Sequence, residues 1–384
     1  MTTRNYLSQR EFLAIIFIAT LLFSLSPCSS APEESDTWSV SWNAPFLSIS
    51  GYGSEATSFL VGLNRTLSRE KWNLAAGLAH GDMIDEKYVD KIPEDLKDLL
   101  ETSYQNQMRR MDPNKTIVIC HSEPGAWSVP DPLYDPGWPC PPPLAENRKW
   151  QKMIGRTMFE TDRLPANWNH RLNEMDEIWV PTHHHEQIFT DAGVKKPIVV
   201  VGQGIDIEYW NPEIRQEYFM EQYDKKFRCS NDDFKFLSVF KWEARKGPDI
   251  LLPSFYEAFP NGEGACLIII TSSYHGDTNL VVDEVKRNWI EATKGMNGNK
   301  AQGVILMTGL PLRNLVRMYK SVDAFVLPSR GEGWGRPYME AMSMGLPVIA
   351  TNWSGPTEFV NEYVSLHRKL LFILFIVLIN FFNK

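Results

Sequence analysis

Short apolar runs alternate with amphipathic ones through the second half of the chain. "FKFLSVF" (234–240), "ACLIIITSS" (265–273), "GVILMTG" (303–309), "AFVLPS" (324–329) and "PVIATN" (347–352) predict strands. "GPDILLPSFYEAF" (247–259), "LVVDEVKRNWIEATK" (280–294), "LRNLVRMYKSV" (312–322) and "RPYMEAMSMG" (336–345) predict helices between them. Strands that are apolar on both faces and separated by helices belong to a parallel sheet covered on both sides. The first half repeats the alternation less regularly. "WSVSWNAPFLSISGYGSEATSFLVGL" (38–63) reads as strand, glycine turn and helix. "KTIVIC" (115–120), "MDEIWVPT" (175–182) and "KPIVVVGQGID" (196–206) predict three more strands, with a Pro-rich insertion at 127–144. The charged stretch 217–233 is the best boundary. The expected fold is α/β, with two facing Rossmann-like domains at 32–232 and 233–364.

Both ends depart from this alternation. Arg4 and Arg10 precede a 14-residue apolar run (12–25), and the small residues Ser29 and Ala31 follow it. Segment 1–31 therefore reads as a signal peptide or an uncleaved signal anchor, with a buried helix as the third reading. The run is shorter than the about 20 residues of a full span. The tail 365–384 carries the apolar run "LLFILFIVLINFF" with no amphipathic period. It reads as a membrane anchor, a substitute core helix or the non-native end of a truncated product. These ends set the expectation of a secretory-pathway protein in the ER or Golgi lumen, membrane-associated through a terminal segment. Sequons at Asn64, Asn114 and Asn352 fit a glycoprotein. Asn352 is expected to be unmodified, because a glycan there would block the crevice.

Composition narrows the function. The chain has 384 residues and is 43% hydrophobic, which suffices for packed cores. A net charge of −8 argues against a nucleic-acid partner, whose phosphates require clustered Lys and Arg. Of the five cysteines, Cys28 lies in the signal. Cys120 and Cys266 are expected as buried thiols, and Cys140 and Cys229 are the candidates to pair. Metal-type cysteine spacing is absent.

The densest chemistry lies in "SRGEGWGRPYMEAMSMGLPVIATNWSGPTE" (329–358). In open parallel sheets, ligands bind beyond the carboxyl ends of the strands. Glu332 would lie in such a crevice loop and Glu340 one turn into the next helix, with Pro337 in its first turn. Gly331, Gly333 and Gly335 let backbone approach a ligand closely. Free N–H groups at the helix start favour an anion, and a carboxylate accepts hydroxyls. Structural capping is the bland alternative. In "SVFKWEARKG", Lys241 and Lys246 flank Arg245 beyond another strand end, where cations would neutralise a diphosphate. Alone, that cluster would read as solvated surface.

Taken in series, "SVFKWEARKGPDILL", "VILMTGLP", "AFVLPSRGEGWGRPYMEAMSMGLPVIAT" and "SGPTEFV" resemble the glycosyltransferase group 1 family, retaining enzymes of the GT-B fold with paired glutamates. The resemblance is strong over 234–362 and looser over 44–210, through "GYGSEA", "MFETDRLPANW" and "MDEIWVPT". It implies that Glu340 binds ribose hydroxyls, Glu332 donor-sugar hydroxyls, and Lys241 with Lys246 the donor diphosphate. Lys241 stands where the family has arginine. The backbone from Gly333 through Gly335 to Arg336 would line the sugar site, and Gly51 and Gly53 the phosphates. His121 resembles a histidine on the acceptor side, with a structural histidine as the alternative. Glu358 matches an orienting residue. The implied reaction moves a sugar from a UDP- or GDP-sugar to an acceptor hydroxyl of a glycan, lipid or small molecule, with retention. No bound cofactor and no obligatory metal are expected. The family shows paired glycines where this chain has Ser354-Gly355, and the second domain reads as incomplete after Glu358.

Rival readings separate by motif. A dehydrogenase needs G-x-G-x-x-G after a strand, which neither "GEGWGRP" nor "SGYGSEA" supplies. P-loop and G-x-S-x-G sequences are missing. "THHHEQ" (182–187) reads as a helix start, because adjacent helical histidines cannot all face one ion. The alternative from another class is an inactive, truncated relative that acts by binding or at a membrane; it predicts no donor turnover.

Overall fold

The computed structural model describes residues 37–360 except 49, 68–71, 79, 83, 91, 110, 128–138, 145–147, 214–228, 231, 260–263, 273–286, 288–302 and 309. The signal segment 1–31, the tail 365–384, most of the helix at 280–294 and most of the stretch 217–233 lie outside the described residues. Two parallel sheets organise the rest. The first has six strands: β1 (Ser39–Asn43), β2 (Asn73–Gly77), β3 (Thr116–His121), β4 (Lys152–Arg156), β5 (Glu177–Val180) and β6 (Ile198–Val200). Their spatial order is β2-β1-β3-β4-β5-β6. The second has five: β7 (Phe234–Lys241), β8 (Ala265–Ser272), β9 (Val304–Thr308), β10 (Ala324–Leu327) and β11 (Val348–Ala350), in the order β11-β10-β7-β8-β9. Every pairing in both sheets is parallel. The expected α/β chain with two Rossmann-like sheets is therefore present.

The chain divides into two compact units. The first holds Met1–Thr157, Leu164–Val180 and Phe189–Gly204. The second holds Met158–Arg163, Pro181–Ile188 and Ile205–Lys384. The described helices are α1 (Gly51–Leu67), α2 (Glu86–Val89), α3 (Glu94–Met108), α4 (Trp168–Leu172), α5 (His183–Asp191), α6 (Pro248–Ala258), α7 (Leu312–Lys320) and α8 (Arg336–Ser343). In the first unit, Trp42, Ala76, Ile119 and Ile154 of the sheet pack with Ala56 and Leu60 of α1 and Leu100 and Tyr104 of α3. In the second, Leu237, Ile268, Ile305 and Phe325 pack with Leu252 of α6, Tyr319 of α7 and Tyr338 of α8. Residues Ala265 to Ile270 are all buried, as a strand covered on both faces requires.

Strand order fixes where a ligand can sit. Chain progression reverses between β1 and β3 in the first sheet and between β7 and β10 in the second. At such a switch point the loops leaving the two strands diverge and open a crevice.

Five of these elements escaped the sequence reading: β2, β4, α2, α3 and α4. β2 is "NLAAG", built of small residues with no β-branched side chain. β4 is "KMIGR", with a charge at each end and a glycine inside.

The cysteine pairing is also corrected. Cys120 bonds Cys140, and Cys229 bonds Cys266. Cys120 and Cys266 are buried strand residues as expected, but a returning chain segment meets each of them. An isolated bridge pairs Trp127 with Cys140, and the disulfide ties Cys140 to Cys120 of β3. The first bond closes a separation of 20 residues, and its loss (Cys120→Ala) should destabilise the first unit by about 3 kcal/mol on chain-entropy grounds. Urea unfolding followed by tryptophan fluorescence measures this. An unchanged midpoint would contradict it.

Candidate functional site

Two loops meet at the switch point of the second sheet. One leaves β7 and winds through a short 3₁₀ turn, Ala244–Lys246, before α6 begins at Pro248. The other leaves β10 and runs to α8. Backbone and side chains lace them together. The Arg330 N–H donates to the Arg245 carbonyl at 2.7 Å. The Arg330 guanidinium also donates to Ala244 O at 2.6 Å and to both carboxylate oxygens of Asp249. Tyr338 donates to Leu327 O at 2.7 Å, which ties α8 to the end of β10. Gly335 caps α8 with φ +99°, a left-handed conformation that favours glycine, and Pro337 lies in the first turn.

Glu332 is the centre of this constellation. It is 5% exposed. Lys246 Nζ donates to both of its carboxylate oxygens at 2.7 Å. Arg245 donates to Gly331 O at 2.6 Å and lies 3.5 Å from Glu332 Oε2. The same guanidinium donates to Glu243 at 2.8 Å and approaches Glu160 to 3.6 Å. Burial opposes the charged form of Glu332, but Lys246 and Arg245 outweigh it and hold the carboxyl below the usual range.

The Glu332 backbone is fixed from the other side. Its N–H donates to Ser354 Oγ at 3.0 Å, and its carbonyl accepts from Gly355 N–H at 3.0 Å. Ser354 adopts φ 61° and ψ −148°, a region that belongs to glycine. This is the position where the sequence departs from the paired glycines of the family it resembles. The hydroxyl bond to Glu332 accompanies that strained backbone.

Glu340 is different. It is half-buried on α8, and Tyr319 donates to its Oε2 at 3.1 Å. Burial raises its carboxyl above the usual range, with Arg336 and the Tyr319 bond partly offsetting. The two glutamates thus have opposite tendencies: one held ionised by cations, the other disposed to accept a proton. Gly333 lies against Met158 within the same loop. Lys241 is the last residue of β7, and Arg336 opens α8. Glu358 accepts from His183, through the backbone N–H at 3.0 Å, and contacts its Nδ1 at 2.8 Å. This bond caps α5 and gives the first histidine of "THHHEQ" a structural role.

In the first unit, Gly51 and Gly53 are the opening residues of α1. A Cβ on Gly53 would lie 2.4 Å from Ser48 O, so only glycine lets the helix start so close to the preceding turn. His121, at the end of β3, is wholly enclosed. Its Nδ1 accepts from the Trp42 indole at 3.1 Å, which assigns the proton to Nε2. Nε2 lies 3.3 Å from Glu55 Oε2, off the hydrogen-bond direction. Burial lowers the His121 pKa, although Glu55 pulls the other way.

Glu55 and Arg156, also fully buried, complete this cluster. Arg156 donates to Glu55 through Nε at 2.9 Å and through a second short contact, and to Val201 O at 2.6 Å. Gln203 donates to the other Glu55 oxygen at 2.8 Å. Glu55, Arg156, Arg245, Glu160 and Tyr319 were missed as site residues. Arg245 had a signal, since it adjoins Lys246. Glu55 had one too, as a charge on the apolar stripe of a helix. Tyr319 had none.

Residues 219–372 match the family model for glycosyl transferases group 1. Spore coat protein SA of Bacillus subtilis is 24% identical over 164 residues, 42% of this chain and 42% of that protein. The capsular polysaccharide biosynthesis glycosyltransferase CapM of Staphylococcus aureus is 26% identical over 178 residues, 46% of this chain and 43% of that protein. The chain thus spans under half the length of the curated relatives it matches. Among solved structures, Anabaena HepE in complex with UDP has the same fold, with a TM-score of 0.53 at 12% identity over 85% of this chain and 84% of that one.

The expected residence in the secretory lumen is overturned, because the relatives are bacterial. Among the described residues no helix is long and apolar enough to cross a membrane, and both terminal apolar runs lie outside those residues. Short apolar runs and sequon triplets were too weak a basis for that expectation.

Proposed function

We propose that this chain is a glycosyltransferase that moves a sugar from a nucleoside diphosphate sugar to an acceptor hydroxyl, with the donor held at the switch point of the second sheet. One observation carries this reading: Lys246, Arg245, Glu332 and the start of α8 converge where the loops of β7 and β10 meet. Cations suit a diphosphate whose charge grows as the glycosidic bond breaks. Ionised Glu332 suits sugar hydroxyls, and Glu340 suits the ribose. The match to the group 1 family over 219–372 supports the assignment, because it spans these residues. Retention of anomeric configuration follows from the family resemblance. UDP-sugars are the first donors to test, since the similar fold of HepE holds UDP.

The test is the melting temperature of the whole chain against UDP, GDP, ADP and their sugars. A ligand at 100 times its dissociation constant stabilises by about 2.7 kcal/mol. A shift with one nucleotide family that is lost in Glu340→Ala is the expected result. A folded protein that responds to none of them would sink the proposal and favour a purely binding role.

A further inference from the structure

We propose that Glu332 is an internal competitor of the diphosphate for Lys246, so that the site holds the sugar-bearing donor and releases the bare nucleoside diphosphate. This inference rests on the donor reading above and adds a direction to the binding cycle. Lys246 spends its ammonium on both oxygens of Glu332, at 2.7 Å each. Arg245 is likewise committed, to Gly331 O, Glu243, Glu332 and Glu160. Lys246 and Arg245 are therefore already paired with the chain's own carboxylates.

A diphosphate that enters must share Lys246 with a buried anion, and two anions on one cation repel. The sugar resolves this conflict. Its hydroxyls donate to the Glu332 carboxylate and take the place of the ammonium, which is freed for phosphate. Once the sugar has been transferred, Glu332 loses those donors and reclaims Lys246. The remaining diphosphate is then held more weakly than the donor was. Glu340 is placed differently: the Tyr319 hydroxyl donates to its Oε2 at 3.1 Å.

Isothermal titration of the wild-type chain and of Glu332→Gln tests the inference, with inorganic pyrophosphate, UDP, GDP, UDP-glucose and GDP-mannose as probes. Pyrophosphate and the nucleoside diphosphate should bind the variant roughly tenfold tighter than the wild type, the factor given by about 1.4 kcal/mol of relieved competition. The sugar nucleotide should gain less or lose affinity, and Lys246→Met should abolish the gain. Unchanged or weaker pyrophosphate binding to a folded variant would overturn the proposal.

The wild type alone gives a second test, independent of how well the variant folds. Its bare nucleoside diphosphate should bind more weakly than the matching sugar nucleotide, and the reverse order overturns the inference. If no nucleotide binds either protein while pyrophosphate still gains in the variant, the donor reading fails and the anion competition stands. If pyrophosphate shows no gain either, both fall.

Discussion

Lys246→Ala is expected to lower sugar-nucleotide turnover by roughly 10²–10³-fold, the usual loss when one preorganised donor to a developing anion is removed. Lys246 belongs to the rigid turn Ala244–Lys246, held by Arg330 from the loop beyond β10. Its ammonium is thus already in the crevice, paired with Glu332, and sugar hydroxyls on that carboxylate would turn it to the diphosphate before charge develops there. Release of nucleoside diphosphate from the donor measures the effect. Lys97→Ala is the control, because Lys97 pairs with Glu94 along α3, in the first unit. A Lys246→Ala protein that melts like the control and retains full turnover would remove Lys246 from the mechanism. Loss of fold would instead show that its pairing with Glu332 is structural.

The second large effect is on stability. Glu55→Ala should destabilise the first unit by about 3–5 kcal/mol, the range for removing one partner of a buried ion pair. Arg156 would be left buried with a charge and without its carboxylate. Acid should act through the same group. Burial disfavours the Glu55 anion, but Arg156 and His121 prevail and bring its carboxyl from 4.5 to about 2. Below pH 4.5 the unfolded chain takes up a proton that the folded chain refuses. The stabilisation from Glu55 is therefore complete above that pH and is lost as pH falls towards about 2. Urea titrations at neutral pH and at stepped acid pH should show wild type and Glu55→Ala converging in this window. A constant gap between them would contradict the assignment.

The cluster explains how the first unit holds its switch point. Glu55 comes from α1, His121 from the end of β3 and Arg156 from the end of β4. Arg156 also ties the chain just after β6, through Val201 O. One buried network thus fixes the carboxyl ends of the strands, and the loops that leave them inherit that geometry.

The second unit was more legible in the sequence than the first. Strands β7 to β11 are rich in apolar and β-branched residues because both faces are covered, and their predicted spans differ from the observed ones by one or two residues at an end. β2 and β4 could not be read in this way. Gly155 inside β4 makes room for the Trp127 ring, a contact 28 residues away in sequence that no local pattern reveals. The same distinction holds for the site. Glu332, Gly335 and Glu340 fall within a single loop and helix start, and Lys246 within another, so spacing alone pointed to them. The contacts that tune them are long-range: Glu332 to Lys246 spans 86 positions, Glu340 to Tyr319 spans 21, and Glu55 to Arg156 spans 101. The disulfides illustrate the limit. Burial of Cys120 and Cys266 was readable, but their partners are set by where the chain returns.

Under the proposed function, the crevice between the loops of β7 and β10 binds a nucleoside diphosphate sugar. Calorimetric titration of the purified chain with UDP-glucose, UDP-N-acetylglucosamine, GDP-mannose and ADP-glucose, beside Lys246→Ala and Lys97→Ala, tests it most directly. The expected result is one-to-one binding by donors of one nucleotide, retained in Lys97→Ala and lost in Lys246→Ala. A folded wild-type chain that binds none of these donors, or a donor bound equally well without Lys246, would contradict it.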